Sequence, residues 1–271
     1  MPELPEVETI KNELLPWVVA QHFTRVTILD AKLISGISVE EFCRRLVGQT
    51  IKSLERRGKY LVFCLREAKS LIVHLKMSGT LLLNAQEIDR YARAIFDLSN
   101  GIRLLFRDPR RFGVVRLVAD ANDILYKLGP EPLGEDFIPH ALALRLSKHH
   151  IPIKAALVDQ SLIAGIGNMY ADEALFVAKI HPLKKANNLS PEEIETLYRS
   201  IQEVLCSAIN NKGASVNTYV RPRGELGTAH LSFKVAHRGG KPCPVCGTPI
   251  QRILVRNRGS CFCPNCQRIT A

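Results

Sequence analysis

The sequence predicts a mixed α and β protein of more than one domain, with a β-rich first half, a helical second half and a compact cysteine-rich tail. Three observations predict it. Residues 22–118 hold short runs rich in Val, Ile, Leu, Phe and Thr, broken by Gly, Asn and Asp, the pattern of an all-β sandwich or barrel. Beyond residue 136 the apolar residues recur at helical spacing as far as about 210. Five of the eight cysteines then crowd into residues 243–266. A chain of 271 residues is long enough for two domains at roughly 150 residues each, and for a sizeable core.

The elements follow in order. Residues 5–16 read as a helix: Pro5 suits the first turn, Glu6 and Glu8 complement the helix dipole, and Val7, Ile10 and Leu14 share a face. The runs HFTRVTIL, KYLVFCL, SLIVHLKM, GIRLLF and FGVVRLV read as strands. LGPEPLGED (128–136) reads as a linker. Helices are expected over 139–148, 151–161, 168–178 and 190–210, the last opened by Ser190-Pro191-Glu192-Glu193. Residues 213–240 contain five glycines and little periodicity, and read as a long mobile loop. The isolated Cys43, Cys64 and Cys206 read as small buried side chains. There is no internal repeat.

Composition excludes whole classes. With 46% apolar and 23% charged residues the chain is neither disordered nor collagenous. No stretch approaches the ~18 uninterrupted apolar residues of a membrane span. MPELPEVETI lacks the basic and apolar segments of a secretory signal, so a soluble intracellular protein is expected. The net charge of +11 is uneven: residues 221–271 carry nine Lys and Arg against the single acid Glu225. A basic tail built around cysteine pairs favours nucleic acid as the partner over a merely solvated face.

The strongest chemical signal is Cys243-Pro-Val-Cys246 with Cys263-Pro-Asn-Cys266. Two C-x2-C knuckles present four thiolates, and the intervening ILVRNRGSCF can close them as a hairpin around one structural zinc. Four thiolates leave no open position for catalysis. Cys261 reads as a spare thiol rather than an alternative ligand. A zinc deaminase would also need an H-x-E upstream, and no His has Glu two positions on. Gly165-Ile166-Gly167-Asn168-Met169-Tyr170 lacks the third glycine and the preceding strand of a dinucleotide fingerprint. It reads as a turn between helices with Asn168 capping the second, which is either a plain corner or a phosphate site.

At the N-terminus, initiator Met is normally removed before Pro, exposing Pro2 as a secondary amine far less basic than Lys. Attack of that amine on a sugar C1′ gives an iminium that has no N–H to lose and acts as an electron sink, with Glu3 at hand as acid or base. Taken alone, MPE is an ordinary start. Arg56-Arg57-Gly58-Lys59 is a basic turn, Asp108-Pro109-Arg110-Arg111-Phe112-Gly113 a cationic and aromatic loop, and His74 and Met77 close LIVHLKM. Each has a plain structural explanation; Met, Arg and Phe on loops can also form a wedge between base pairs.

Together PELPEVET, RRGKYL, HLKMSG, DPRRFG, GIGNMYADEALF and the four-cysteine finger resemble bacterial formamidopyrimidine-DNA glycosylase, in that family's order and across residues 2–266. The resemblance implies an α+β multidomain fold: an N-terminal β-sandwich flanked by helices, then a helical domain with a helix-two-turn-helix and a four-cysteine zinc finger. The implied boundaries are 1–130 for the catalytic sandwich, 131–216 for the helical DNA-binding domain, 217–237 for a damaged-base loop and 238–271 for the finger. The implied activity is a bifunctional glycosylase and AP lyase of base excision repair, acting on 8-oxoguanine and formamidopyrimidines in double-stranded DNA.

By position, Pro2 is the nucleophile, Glu3 the acid/base and Glu6 its support. Lys59, Asn168 and Arg258 grip the phosphates around the lesion, with Lys59 and Arg258 counted among the catalytic groups. His74 and Lys154 are further backbone contacts, and Met77, Arg110 and Phe112 fill the space left by the flipped nucleotide. One structural zinc, no redox cofactor, no membrane, a monomer and a bacterial cytoplasmic location are expected. The chain departs from the family at Asn217-Thr218-Tyr219, where Arg-Thr-Tyr or Arg-Asp-Tyr is usual, and at Val235-Ala236-His237-Arg238, where Tyr-Gly commonly precedes the Arg. These departures sit where lesion choice is decided and point towards ring-opened purines. Two rivals are an endonuclease VIII-like enzyme for oxidised pyrimidines and a non-catalytic DNA-binding module. Leu4 in place of Gly and the Met-Arg-Phe wedge oppose the first; Pro2, Glu3 and Lys59 oppose the second.

Overall fold

The structure, a computed structural model, describes residues 1–67, 69–85 and 87–269. The chain divides into two compact units, Met1–Tyr126 with Asn211–His230, and Lys127–Asn210 with Leu231–Ala271.

In the first unit, helix α1 (Leu4–Val18) begins with a reciprocal capping box in which the Glu3 carboxylate takes the Glu6 N–H and Glu6 Oε2 takes the Glu3 N–H at 2.7 Å. Val7, Ile10, Leu14 and Val18 fall on one face and are buried. Eight strands follow: β1 (Phe23–Ile28), β2 (Ile51–Arg57), β3 (Tyr60–Leu65), β4 (Ser70–His74), β5 (Thr80–Leu83), β6 (Ala92–Leu98), β7 (Arg103–Arg107) and β8 (Val114–Val118). They form two antiparallel four-stranded sheets, β1-β6-β7-β5 and β2-β3-β4-β8. Alternate side chains of both sheets, Phe96, Leu104 and Phe106 from one and Leu61, Phe63 and Val73 from the other, meet the α1 face in a single core. Two residues join β2 to β3, and the first, Gly58 at φ +57°, occupies the position where a type II′ turn needs glycine.

Three features depart from the sequence expectation. A helix, α2 (Val39–Leu46), interrupts the β-rich half, capped by Ser38 Oγ on the Glu41 N–H. A one-turn helix, α3 (Asn122–Leu125), follows β8. Residues 211–230 return to the sandwich instead of belonging to the helical domain or to one free loop. Ala214 N–H donates to Glu6 Oε1 at 2.8 Å and Leu83 N–H to Pro222 O at 2.7 Å, and Tyr219 is buried in the core.

The second unit contains α4 (Pro139–Leu146), α5 (Ile153–Leu157), α6 (Asn168–Val177) and α7 (Pro191–Asn210), then the hairpin β9 (Gln251–Val255) and β10 (Arg258–Phe262). The helix expected over 151–161 stops at 157. Gln160 then organises the turn, its Nε2 donating to Val158 O and Ile166 O and its Oε1 accepting from Gly165 N–H. The 128–136 segment is tied to this turn, with Gly129 N–H on Gln160 O at 2.8 Å and Ala164 N–H on Pro130 O at 3.0 Å. The finger docks through Phe262 edge-on to His181 and through Gln267, whose Nε2 donates to Ile180 O. Cys206 is exposed and Cys43 and Cys64 half-buried, against the expectation of burial. Among the described residues no helix is long and apolar enough to cross a membrane.

Candidate active site and nucleic-acid interface

The N-terminus of α1 gathers the first cluster. Glu3 and Glu6 are buried, and Glu6 spends both oxygens on backbone amides, Oε2 on Glu3 and Oε1 on Ala214. Lys59 is also buried, at the end of the β2–β3 turn. The terminal amine, carried here by Met1, is held below its ordinary 8.0, chiefly by burial; Glu3 and Glu6 oppose that shift, and the charges of Lys59 and Arg110 add to it. One amine therefore has two carboxylates and two cations within electrostatic reach. Pro2 follows it directly and is buried.

His74 ends β4. Its Nδ1 accepts the Lys76 N–H at 2.9 Å, so the ring hydrogen sits on Nε2, and it packs edge-on against Tyr60, its cross-strand partner. Burial, with Lys76 and Lys59 nearby, lowers its pKa to about 3, so it is a neutral donor and not a cation.

The residues expected to form a wedge lie on exposed loops. Met77 is 41% and Phe112 49% accessible, and the Arg110 guanidinium lies 4.8 Å over the Phe112 ring. Their loop is built on Asp108, which sequence reasoning did not single out. Its buried carboxylate accepts from Phe112 N–H at 2.8 Å, Gly113 N–H at 2.7 Å, Arg110 N–H at 3.1 Å and the Ser78 hydroxyl. Gly113 is required by close approach, because a Cβ there would lie 2.5 Å from Phe106 Cζ. Arg111 turns away from the wedge to pair with Asp30.

Of the expected damaged-base loop, Thr218 Oγ1 donates to Met77 O at 3.4 Å. Tyr219 is 5% exposed with its hydroxyl on Lys212 O at 3.0 Å, and burial raises its pKa. It is a core residue, while Asn217 is exposed. In the second unit Lys234, Val235 and Ala236 donate their N–H groups to the buried Glu173 carboxylate at 2.7–2.9 Å. Leu226 and Leu231 remain outside, so the expected mobile span of 213–240 is anchored at both ends.

The second cluster lies wholly in the other unit. Lys154, expected at the DNA backbone, is only 1% exposed and pairs with Asp172, while its Nζ donates to Asn168 O at 2.6 Å. Asn168 is the first residue of α6 and does not cap it; Gly167 holds the N-cap position. The Asn168 Nδ2 instead donates to Gly259 O at 2.8 Å. Arg258 opens β10, exposed, and with Arg256, Gln160 and Lys154 lines a cleft of about 360 Å³. Burial pushes the Asp172 pKa up to about 6, against the pull of Lys154.

The four finger cysteines bring their Sγ atoms within 4.8 Å of one another, with pairs at 3.5 and 3.9 Å. A tetrahedron of thiolates about 2.3 Å from zinc has edges of about 3.8 Å, so the cage fits the ion. Val245 N–H points at Cys243 Sγ and Cys266 N–H at Cys263 Sγ, spreading thiolate charge into the knuckle backbones. Cys261 stands outside the cage, its N–H on Asp172.

Fold and site define a protein with a four-cysteine zinc finger and a buried acidic and basic cluster at its N-terminus. Residues 1–115 match the family described as the formamidopyrimidine-DNA glycosylase N-terminal domain, 128–220 its H2TH domain, and 240–269 the zinc finger found in FPG and IleRS. Formamidopyrimidine-DNA glycosylases of Chloroflexus aurantiacus and Symbiobacterium thermophilum are 44% and 43% identical, over 98% and 99% of this chain and 98% and 90% of theirs. A Lactococcus lactis FPG mutant solved with Fapy-dG-containing DNA superposes with a TM-score of 0.92 at 36% identity, covering 99% of this chain and all of that one. The Thermus thermophilus MutM (FPG) protein gives 0.90 at 38%, covering both chains fully. The chain belongs to the formamidopyrimidine-DNA glycosylase family, DNA-repair enzymes that carry one structural zinc.

Proposed function

We propose that the chain excises oxidised purines from double-stranded DNA and cleaves the resulting abasic site, with Pro2 as nucleophile once Met1 is removed. The observation that carries the reading is the buried cluster of Pro2, Glu3, Glu6 and Lys59 at the start of α1, beside a terminal amine, at Met1, whose basicity desolvation lowers. The Pro2 nitrogen attacks C1′, the glycosidic bond breaks, and the base leaves with a proton. Glu3 protonates O4′ as the sugar ring opens, giving a C1′ iminium. That cation acidifies the C2′ hydrogen, whose loss expels the 3′ phosphate; a second elimination expels the 5′ phosphate, and hydrolysis frees Pro2.

Lys59 and the Nε2–H of His74 in the first unit, and Arg258 and Asn168 in the second, bind phosphates. Asn168 keeps the second hydrogen of its Nδ2 for that contact. Met77, Arg110 and Phe112 enter the stack, offsetting the few kcal/mol that extrusion of a nucleotide costs. Lys154 serves from the interior instead of touching DNA. The uncharged Asn217 beside Thr218 and Tyr219 favours ring-opened purines over 8-oxoguanine. The protein acts as a monomer in the bacterial cytoplasm, without a redox cofactor. The structures of Lactococcus lactis Fpg with abasic-site DNA support the substrate class.

Borohydride trapping on duplexes carrying formamidopyrimidine:C, 8-oxoguanine:C and thymine glycol:A tests the reading, with mass spectrometry locating the adduct. An adduct on Pro2 from the purine lesions is expected. Trapping at a lysine, or from thymine glycol alone, would overturn it.

A further inference from the structure

One arrangement in the second unit is not used by the proposed chemistry. On α6, Asn168 and Asp172 are four residues apart and share a helix face. On β10, Gly259 and Cys261 are two apart and present their backbone groups to the same strand edge. The two pairs meet: Asn168 Nδ2 donates to Gly259 O at 2.8 Å, and Cys261 N–H donates to Asp172 Oδ2 at 3.1 Å. The other Asp172 oxygen holds the Lys154 ammonium, which also donates to Asn168 O. One face of α6 thus takes the place of a third strand beside the hairpin, and Arg258 is the residue immediately before the first of these contacts.

We infer that Asp172 is a positioning residue for DNA binding: its buried carboxylate locks Lys154, the start of α6 and strand β10 into one frame that holds Asn168 and Arg258 in register for successive phosphates. The inference rests on the proposed DNA-binding roles of those two residues. Burial disfavours the charge, since Asp172 is 3% exposed and its pKa is pushed up to about 6. A buried ion pair is weak support for stability, because apolar residues of similar volume commonly replace one without loss. What apolar residues cannot supply is two directional acceptors that fix a helix and a strand edge against each other. The frame also borders a cavity of about 390 Å³ lined by Asn168, Asp172, Arg252, Gly259 and Cys261, so packing alone does not fix that seam.

The test uses the zinc-loaded full chain and a duplex containing a tetrahydrofuran abasic analogue. Asp172→Asn removes a negative charge, which by electrostatics alone strengthens DNA binding; the frame predicts the opposite, about tenfold weaker binding. Should that variant fold poorly with the Lys154 charge no longer balanced by Asp172, the charge-neutral double variant Lys154→Met/Asp172→Leu replaces it. There the expectation is unchanged zinc content and melting temperature, at least tenfold weaker binding, and a slope of log K against log salt shallower by about one phosphate contact. Adding Arg258→Ala to either variant should cost little more, whereas in the unaltered chain it costs tenfold or more. Unchanged or tighter binding, full additivity with Arg258→Ala, or a loss that tracks zinc release would overturn the inference. Failure of the unaltered chain to prefer the abasic duplex over undamaged DNA would overturn the functional reading, and this inference with it.

Discussion

At the scale of single residues, the amine centre works by what surrounds it. Desolvation lowers the terminal amine at Met1 below its ordinary value, and the same surroundings penalise the protonated form of a Pro2 amine, which cannot attack. The single-turnover rate of adduct formation should therefore rise with pH as the Pro2 amine loses its proton, and then level off. A rate indifferent to pH would place the nucleophile outside the cluster, and a chain that keeps Met1 should form no adduct on Pro2. Asp108 makes a second prediction. One carboxylate accepts four donors in the 108–113 loop, and replacing it by Ala removes the acceptor from the buried Gly113 N–H and Ser78 hydroxyl and from the partly buried Phe112 and Arg110 amides. Asp108→Ala should lower stability by about 3 kcal/mol and weaken discrimination of the base opposite the lesion, read from denaturant melts and from excision opposite C and A. Neither Asp108 nor Asp172 was chosen from the sequence, yet a signal was present. An acid before a Pro-Arg-Arg turn, or inside the apolar helix run YADEALF, must be satisfied by something. Lys154, expected at the DNA backbone by resemblance alone, is buried against Asp172, a pairing eighteen positions apart that no local pattern announces.

At the scale of elements, the legible ones were those whose burial pattern spans many residues. The apolar stripe of α1 and the closely spaced β-branched and aromatic runs of the sandwich each follow from a repeated period. The missed helix α2 is eight residues long with only Phe42 and Leu46 buried, and four of its residues are charged, too short a stripe to stand out. The return of residues 211–230 to the sandwich was illegible for another reason: it depends on partners remote in sequence, Leu83, the core around Tyr219 and Glu6, the last more than two hundred positions away. The finger was the most legible element, since two C-x2-C knuckles fix a chemistry independent of tertiary context. Its hairpin formed over the expected residues, and Arg258 sits on its second strand. Cys246→Ser, or removal of zinc by a chelator, should therefore unfold residues 243–266 while the sandwich persists. DNA affinity should drop at least tenfold, checked by zinc assay, circular dichroism and a binding titration. Unaltered affinity in the metal-free protein would separate the finger from DNA binding.

At the scale of the whole molecule, charge decides how binding responds to salt and pH. Of the net +11, the last 51 residues contribute a surplus of eight, yet Arg110, Lys59 and His74 lie in the first 126. The phosphate contacts proposed here are mixed in kind. Lys59 and Arg258 are cations that release counterions, whereas Asn168 and the imidazole of His74 are neutral donors. With the pKa of His74 held at about 3, it stays uncharged at every pH at which the protein is used. The sign of its pH effect follows: a His with an ordinary pKa near 6.5 would gain charge below that value and steepen the salt dependence by about one unit, since each neutralised phosphate adds about 0.9 to the slope. Slopes of log K against log salt, measured at pH 5.5 and pH 8 for the unaltered chain and for His74→Ala, should show the same small difference between the two proteins at both values. A His74 contribution that grows on acidification would mean that the imidazole becomes charged against DNA, with the phosphate supplying the stabilisation that burial in the free protein denies it.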